Sequence, residues 1–337
     1  MRKGLSYDDV LLQPQKSDIT SLSNVDTSVE IAGLTLEVPV ISAAMDTVTE
    51  KEMAAEISRQ GGLGVIHRFM SAEDQASEVR QVSELGQKVA AALGLNDLER
   101  AEKLIEVDVD MLVIDIAHGH HKSLIQELEE YDKKFDVPIV AGNVATSEAA
   151  RDLEKAGADV VKVGIGPGSA CTTRKMTGVG VPQFSAVKEC AEAVEVPVIA
   201  DGGIRKPGDL AKALMAGADA GMIGGMFAGT DPTPGEVVDI EGEKYKEYRG
   251  MSSREAAEER AEKQERDLSY SETFSEGVST KTEYKGSLKP IIRDLEGGLS
   301  SSISYCGSDN VEDARENAEF MEITSSTQYR NGDHINN

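Results

Sequence analysis

The chain has 337 residues, of which 39% are hydrophobic, and it carries a formal net charge of −25 at pH 7. This length accommodates one large barrel or two ordinary domains, and this apolar content is sufficient for a globular core. No apolar run reaches the roughly 18 residues of a membrane span, and a charge this negative repels nucleic-acid phosphates, so both classes of partner are excluded.

Cysteine usage and the first residues indicate a compartment. Cys171, Cys190 and Cys306 are far apart and form no CxxC pair, so we expect free thiols rather than a disulfide framework or a zinc site. The chain becomes acidic at Asp8 and Asp9, too early for the apolar core of a secretory signal. We therefore expect a cytoplasmic protein. The acidic excess resembles that of proteins from salt-accumulating halophiles, in which concentrated cations screen the repulsion.

Eight brief apolar runs follow one another along the chain, most of them trailed by a segment with helical periodicity. The runs occupy residues 38–41, 64–66, 89–93, 111–114, 138–141, 160–163, 196–199 and 220–223. Because they are apolar on both faces, they predict buried parallel strands in an α/β fold, either an open doubly wound sheet or a closed barrel. The count of eight favours the (β/α)₈ TIM barrel. Segment 97–105 shows the helical spacing, with one predicted apolar face formed by Leu98, Ala101, Leu104 and Ile105.

Two connections are longer than the rest. The first, between residues 164 and 196, contains a glycine-rich loop. The second, residues 230–285 after the eighth strand, greatly exceeds an ordinary βα loop and is predicted to be a flap, because long loops tend to be functional or mobile. We expect one catalytic barrel domain over residues 1–337, with residues 325–337 as a C-terminal tail.

A polar residue or a glycine follows every predicted strand. These residues are Ser42, His67, Gly94, Asp115, Asn143, Gly164, Asp201 and Gly224. The carboxyl ends of barrel strands meet at the active-site face, so the pattern predicts a site built from these positions.

The most informative segment is residues 164–174, which reads GIGPGSACTTR. Glycines let such a loop direct backbone groups at a ligand, and Cys171 at its end is a candidate nucleophile. A positive charge on Arg174 or Lys175 would favour the thiolate. The alternative is a loop cysteine without a role.

Two further glycine motifs predict a phosphate site. Residues 201–204 (DGGI) follow the seventh strand and residues 224–226 (GGM) follow the eighth, where this fold commonly binds phosphate through backbone N–H groups. Asp201 is suited to accept hydrogen bonds from a ribose. Read singly, either motif is also consistent with ordinary turn glycines.

Three histidines after the fourth strand, His118, His120 and His121, raise the question of a metal. No carboxylate with ligand spacing accompanies them, so a ligand- or cofactor-contacting loop is the better interpretation. Asp115, just before them, is suited to bind a ribose or to position a base.

Taken together, these segments resemble the IMP dehydrogenase/GMP reductase family. The resemblance runs over nearly the whole chain and rests on residues 7–12, 42–48, 61–67, 141–144, 164–182, 200–204 and 248–253. It implies that Cys171 attacks purine C2, with Thr173 and Glu276 as the pair that handles ammonia. It also implies a homotetramer or homo-octamer.

The resemblance assigns the remaining candidate residues to three groups. Implied nucleotide contacts are Ser42, Met45, Ser169, Asp201, Gly202, Gly203, Gly224, Gly225, Tyr248, Gly250, Met251 and Ser252. Implied cofactor contacts are Arg68, Asp115, Ala117, His118 and Asn143. A monovalent cation, K⁺, is expected on the backbone carbonyls of Gly166, Gly168 and Cys171.

Within the family, three features favour an NADPH-dependent GMP reductase. No regulatory cystathionine-β-synthase-type module separates the second and third strands. The flap has Arg254, Arg260 and Arg266 but no Arg-Tyr pair of the kind that activates water in the dehydrogenase, since Tyr270 follows a serine. Residues 172–178, 224–226 and 292–294 resemble reductases more closely. The alternatives are an NAD-dependent IMP dehydrogenase that lacks the module and a catalytically silent nucleotide-binding regulator.

The sequence departs from the family at three places. Arg68 stands where reductases often have lysine, Ser300 where both groups usually have arginine, and the tail matches neither group. These departures leave recognition of an NADPH 2′-phosphate without an obvious arginine cluster.

Overall fold

The computed structural model describes residues 2–263, 275–324 and 327, and its core is a closed barrel of eight parallel strands. In chain order the strands are β1 (Val10–Leu12), β2 (Val29–Ile31), β3 (Leu34–Leu36), β4 (Val40–Ser42), β5 (Leu63–Ile66), β6 (Val89–Leu93), β7 (Met111–Asp115), β8 (Ile139–Val144), β9 (Val160–Val163), β10 (Val198–Asp201), β11 (Ala220–Ile223), β12 (Val238–Ile240), β13 (Glu243–Arg249), β14 (Ser279–Glu283) and β15 (Phe320–Glu322). Strands β4 to β11 form the barrel in chain order, and β11 closes it by pairing with β4. The predicted TIM barrel is confirmed.

The chain has helices around the barrel and, in α6 (Thr173–Thr177) and α9 (Arg254–Lys263), within the cysteine loop and the flap. They are α1 (Lys51–Arg59), α2 (Ala72–Ser83), α3 (Leu98–Ile105), α4 (Lys122–Lys134), α5 (Ser147–Lys155), α6 (Thr173–Thr177), α7 (Gln183–Ala191), α8 (Pro207–Met215), α9 (Arg254–Lys263), α10 (Lys289–Tyr305) and α11 (Val311–Asn317). The predicted helix at 97–105 is α3, with Ala101 and Leu104 buried. Leu98 is exposed in its first turn, so the predicted apolar face is shorter than expected. Among the described residues, no helix is both long and apolar enough to cross a bilayer.

Proline sets three strand boundaries that the apolar runs miss. The predicted strands at 38–41, 138–141 and 196–199 each include a proline, and the observed strands begin directly after it. Proline has no N–H to donate to a ladder. Its carbonyl is still used: Pro39, Pro138 and Pro197 each accept a hydrogen bond from the neighbouring strand at 2.9–3.0 Å.

The barrel interior is apolar at the amino-terminal ends of the strands and polar at their carboxyl-terminal ends. Inward-facing Val65, Ala90 and Val113 belong to one buried cluster, which the hairpin β2–β3 closes from the amino-terminal end with Ile31 and Leu36. At the carboxyl-terminal end the inward positions are polar. The side chains that lie there come from the ends of β7, β8, β9 and β10.

The long insertion after the eighth barrel strand is present as predicted. It contains an antiparallel sheet in which β13 pairs with both β12 and β14, and the helix α9. Arg266 and Tyr270 of the flap lie outside the described residues, as does the predicted tail apart from Thr327.

Candidate active site

A chain of hydrogen bonds links the cysteine loop to the flap. Cys171 lies at the end of the loop that follows β9, and its thiol donates to Thr173 Oγ1 at 3.1 Å. The Thr173 hydroxyl in turn donates to Glu276 Oε2 at 2.7 Å. Each donor thus faces the next acceptor, so a proton can pass between the carboxylate and the neighbourhood of the sulfur through one hydroxyl.

Backbone pairing brings Glu276 to this position. Thr172 N donates to Glu276 O at 2.7 Å, and Val278 N donates to Ala170 O at 3.1 Å, so the flap adds an antiparallel bridge to the cysteine loop. Gly250 allows the close approach, because a Cβ there would lie 2.7 Å from Ala170 O. A larger residue at 250 would separate the two segments.

Arg174 braces the loop. Its guanidinium donates to Val181 O at 2.6 Å, and its aliphatic stem packs where Cβ atoms on Gly166 and Gly180 would stand. Burial lowers the pKa of Arg174, and attraction to Cys171 opposes this shift. Lys175 is exposed. Of the two predicted cations, Arg174 is therefore the one in electrostatic contact with the cysteine.

A buried polar network occupies the top of the barrel interior. Lys162 is 1% exposed, and its ammonium contacts Asp115 Oδ1 at 2.7 Å, Asp201 Oδ2 at 2.9 Å and Asn143 Oδ1. Asn143 Nδ2 donates to Asp201 Oδ2 and to Gly164 O, each at 2.8 Å. The network therefore joins three predicted site residues to the first glycine of the cysteine loop.

The charges in this network stabilise one another. Burial alone would lower the pKa of Lys162, but the carboxylates of Asp115 and Asp201 raise it well above its ordinary value. Burial alone would raise the pKa of Asp115, but the Lys162 ammonium outweighs it and lowers that pKa. Lys162 and Asp115 are therefore both ionised at neutral pH.

Ser169, Tyr248 and Gly225 form a cradle beside the cysteine loop. Ser169 Oγ and the Tyr248 hydroxyl are 2.9 Å apart, and a Cβ on Gly225 would lie 2.7 Å from Ser169 Oγ. A Cβ on Gly224 would lie 2.9 Å from Met45 Sδ. Burial raises the pKa of Tyr248, so its hydroxyl stays protonated and can donate. Two hydroxyls therefore lie beside a pair of glycines, an arrangement that suits an anion.

One cleft of about 500 Å³ brings most of the predicted residues together. The predicted site residues that line it are Arg68, Asp115, Ala117, Asn143, Gly166, Gly168, Cys171, Thr173, Asp201, Gly202, Met251, Ser252 and Glu276. The others lie beside or beneath it: Ser42, Met45, Ser169, Gly203, Gly224, Gly225, Tyr248 and Gly250 form the surrounding loops and the cradle, and His118 is on the surface.

The three histidines after β7 do not act together. His118 is exposed, His120 Nε2 lies 3.0 Å from Asp152 Oδ2, and His121 Nδ1 accepts from Ser123 N at the start of α4. Among the described residues, no group of three or more His, Cys, Asp or Glu side chains is arranged to hold a metal ion.

Sequence reasoning missed Lys162, which is buried beneath the cleft, and Phe69, which lines it. Lys162 lies inside the apolar run 160–163, where a lone lysine in a buried strand was the available signal. Phe69 lines the cleft beneath Arg68, whose guanidinium carbon is 4.7 Å from the ring centroid. An aromatic beside an arginine has no distinctive spacing, so no sequence signal identified it.

Comparisons with known proteins place this architecture in a family. The family model described as "IMP dehydrogenase / GMP reductase domain" matches residues 4–334. A crystal structure of a cysteine-to-alanine variant of GMP reductase from Trypanosoma brucei, in complex with guanosine 5′-monophosphate, superimposes with a TM-score of 0.93 at 30% identity. The match covers 99% of this chain and 98% of that one.

The curated relatives that match this chain are named as dehydrogenases. Inosine-5′-monophosphate dehydrogenase of Methanocaldococcus jannaschii is 34% identical, with 99% of this chain and 95% of that protein covered. The enzyme of the same name from Cryptosporidium parvum is 37% identical, with coverage of 96% and 93%. The first alignment extends over 473 positions and the second over 375, so the first relative carries a much longer segment that this chain lacks.

Proposed function

The chain belongs to the IMP dehydrogenase/GMP reductase family of oxidoreductases, and within it we propose that the protein is an NADPH-dependent GMP reductase. The reaction is GMP + NADPH + H⁺ → IMP + NH₃ + NADP⁺. Cys171 is the nucleophile, and the purine is held covalently through C2 between the two halves of the reaction.

The observation that carries this proposal is the Cys171–Thr173–Glu276 chain. Loss of an amino group requires a proton for the leaving nitrogen, and a carboxyl group beside a hydroxyl relay can supply it. A binding protein needs no such chain. The arrangement therefore supports catalysis over a silent nucleotide-binding role.

The residues divide the work as follows. The cradle of Ser169, Tyr248 and Gly225 holds the phosphate, and Asp201 accepts from the ribose hydroxyls. Attack of the Cys171 thiolate forms the S–C2 bond, and protonation through Thr173 releases ammonia. A nicotinamide cofactor held by Asp115, Ala117 and Asn143 would supply the hydride that C2 accepts. The S–C2 bond breaks, its electron pair returns to sulfur, and IMP leaves.

The cleft fits a nicotinamide cofactor. Asp115, Ala117 and Asn143 line the cleft, and His118 is exposed one residue after Ala117. Arg68 lines it as well, and its buried Nε has no hydrogen-bond partner within the described part of the chain. As a cation that lines the cleft, Arg68 suits the extra phosphate of NADPH.

The cysteine loop also fits a monovalent cation. The carbonyl of Gly168 accepts a single hydrogen bond, from Cys171 N, and keeps a lone pair. In the described residues no backbone N–H donates to the carbonyls of Gly166 or Cys171. Three such oxygens on one loop would hold K⁺, which prefers carbonyl ligands and would keep the loop rigid.

A second candidate function is IMP dehydrogenase. Its support is the name of the curated relatives at 34–37% identity. The short alignment with the Cryptosporidium parvum protein means that a missing segment does not separate the two activities. In that reaction water would attack the covalent intermediate, giving XMP, with NAD⁺ as the oxidant.

Nicotinamide absorbance in two mixtures tests the proposal. One mixture contains GMP with NADPH or NADH, and the other contains IMP with NAD⁺, both in high KCl. We expect reduced cofactor to be consumed with GMP, and Cys171→Ala to abolish its consumption. Formation of reduced cofactor with IMP, and none lost with GMP, would establish the dehydrogenase instead.

A further inference from the structure

All three N–H groups of the Lys162 ammonium have an acceptor within the site. An ammonium has three N–H groups, and the acceptors around this one are a carboxylate oxygen of Asp115, the amide oxygen of Asn143 and a carboxylate oxygen of Asp201. Within the described residues the second oxygen of each carboxylate accepts no hydrogen bond, so each keeps one oxygen for a ligand. The two free oxygens belong to different strands, β7 and β10, and both residues line the cleft.

Asn143 reinforces the arrangement. Its amide N–H groups are both engaged, one with Asp201 Oδ2 and one with Gly164 O. Its side chain thus closes a triangle with Lys162 and Asp201, and it also fixes the start of the cysteine loop. This role is additional to the predicted cofactor contact.

We propose that Lys162 is a positioning residue that serves both ligands, orienting Asp201 for the ribose of the substrate and Asp115 for the cofactor. It touches neither ligand, because it is buried beneath the two carboxylates. The inference rests on the proposed function only for the identity of the two ligands. Two carboxylates this close, in a barrel with an apolar interior, require one shared cation to stay ionised together.

Two other titratable groups face the network from neighbouring elements. Arg68, after β5, adds to the field that keeps Asp115 ionised. Tyr248, on β13, faces Asp201. Arg68 does not replace the ammonium, because it contacts the Asp115 backbone carbonyl at 3.5 Å, and Tyr248 does not replace it because its hydroxyl is uncharged.

The test measures binding rather than turnover. We would determine the dissociation constants of GMP and of NADPH, separately, from pH 5 to pH 8, for the wild type, Lys162→Met, Lys162→Gln and Lys162→Arg. Without the ammonium, each carboxylate loses its counter-charge and takes up a proton at higher pH. We therefore expect Met and Gln to weaken both ligands at least about tenfold at pH 7 and to move the acid limb of each profile upward by about one unit or more. Lys162→Arg keeps the charge, so its acid limb should stay at the wild-type pH.

Lys212→Met is the matched control. Lys212 is also buried, but its ammonium donates to the Tyr7 carbonyl, away from the cleft. We expect its acid limb to remain in place, whatever its loss of stability. The ionisation of the GMP phosphate is common to all variants and cancels.

Two results would overturn the inference: unshifted acid limbs in both neutral variants, or weakening of one ligand alone. Failure of the proposed function gives a different outcome. A protein that binds IMP but does not turn over GMP would remove the reductase assignment, and the same pH profiles could then be recorded with IMP and NAD⁺.

Discussion

Thr173 and Glu276 are 103 positions apart in the sequence, yet the threonine hydroxyl donates to the glutamate carboxylate at 2.7 Å. The contact joins the short helix after the cysteine loop to the segment that follows the flap helix. It exists because the backbone of Glu276 also accepts from Thr172 N. The catalytic proposal depends on this pairing, since it gives the sulfur a proton relay.

Removing the hydroxyl of the relay should slow deamination. Thr173→Val breaks both side-chain hydrogen bonds, and Glu276→Gln keeps the shape of the carboxylate without its proton transfer. For each variant we expect ammonia release from GMP to fall by about 10²–10⁴-fold. Thr173→Ser, which keeps the hydroxyl, should restore most of the rate. Ammonia release measured by rapid quench decides this, and an unchanged rate in Thr173→Val would remove the threonine from the mechanism.

A methyl group on Gly225 should weaken nucleotide binding. The added Cβ would lie 2.7 Å from Ser169 Oγ and would force the serine away from Tyr248. Loss of one charge-assisted hydrogen bond to a phosphate corresponds to about 1.5–3 kcal/mol, so the KM for GMP should rise about 10- to 100-fold.

Gly297→Ala is the control for that substitution. Gly297 lies inside α10, and a Cβ there meets nothing within 4 Å. The replacement should leave KM unchanged and stabilise the protein by about 0.5–1 kcal/mol in denaturant unfolding. Equal KM values for the two alanine variants would argue against the proposed phosphate cradle.

An ion pair holds the base of the flap to the barrel. Arg249 Nη2 contacts Asp46 Oδ2 at 2.6 Å, and the side chains are 11% and 13% exposed. Asp46→Ala leaves a largely buried guanidinium without this partner, so we expect a loss of about 3 kcal/mol in the free energy of unfolding. Lys206→Met, which removes an exposed pair with Asp8, should change it by less than about 1 kcal/mol. Similar losses in both variants would contradict the account of the flap anchor.

Glu78 should make the protein less stable as pH rises. Burial, with repulsion from Glu50 and Glu52, raises the pKa of Glu78 from 4.5 to about 7. Between these values the folded state binds more protons than the unfolded one, so stability falls as pH increases from about 4.5 to 7. Glu78→Gln should flatten this dependence and be relatively more stable at pH 8. Unfolding free energies for both proteins across this range provide the check, and parallel curves would refute the prediction.

The barrel could be read from the sequence because its signal is local. Each strand is buried on both faces, so each appears as an apolar run. The starts of three strands were misplaced at Pro39, Pro138 and Pro197, and several carboxyl-terminal ends were placed too early because they are polar. The sequence signal for the glycine loop and Cys171 was equally local. Their place at the carboxyl-terminal face followed from chain order within the fold.

The remainder of the site depends on contacts between distant segments. Spacing did not predict that Glu276 would reach Thr173; the pairing was implied by the family resemblance. Lys162 was not predicted, because residues 160–163 have the pattern of an ordinary buried strand. The proposed role of Lys162 depends on carboxylates from two other strands. This charge compensation can be recognised only in the folded barrel, where the three strands bring the side chains together.

The most direct test of the proposed reductase reaction follows the hydrogen that is transferred from NADPH to the purine. The enzyme is incubated with GMP and NADPH deuterated at the transferable position, and IMP, ammonia and NADP⁺ are quantified. The account predicts equal amounts of all three, with deuterium at C2 of IMP, and no product from Cys171→Ala. Absence of deuterium at C2, or XMP formed from IMP with NAD⁺ while GMP remains unchanged, would contradict it.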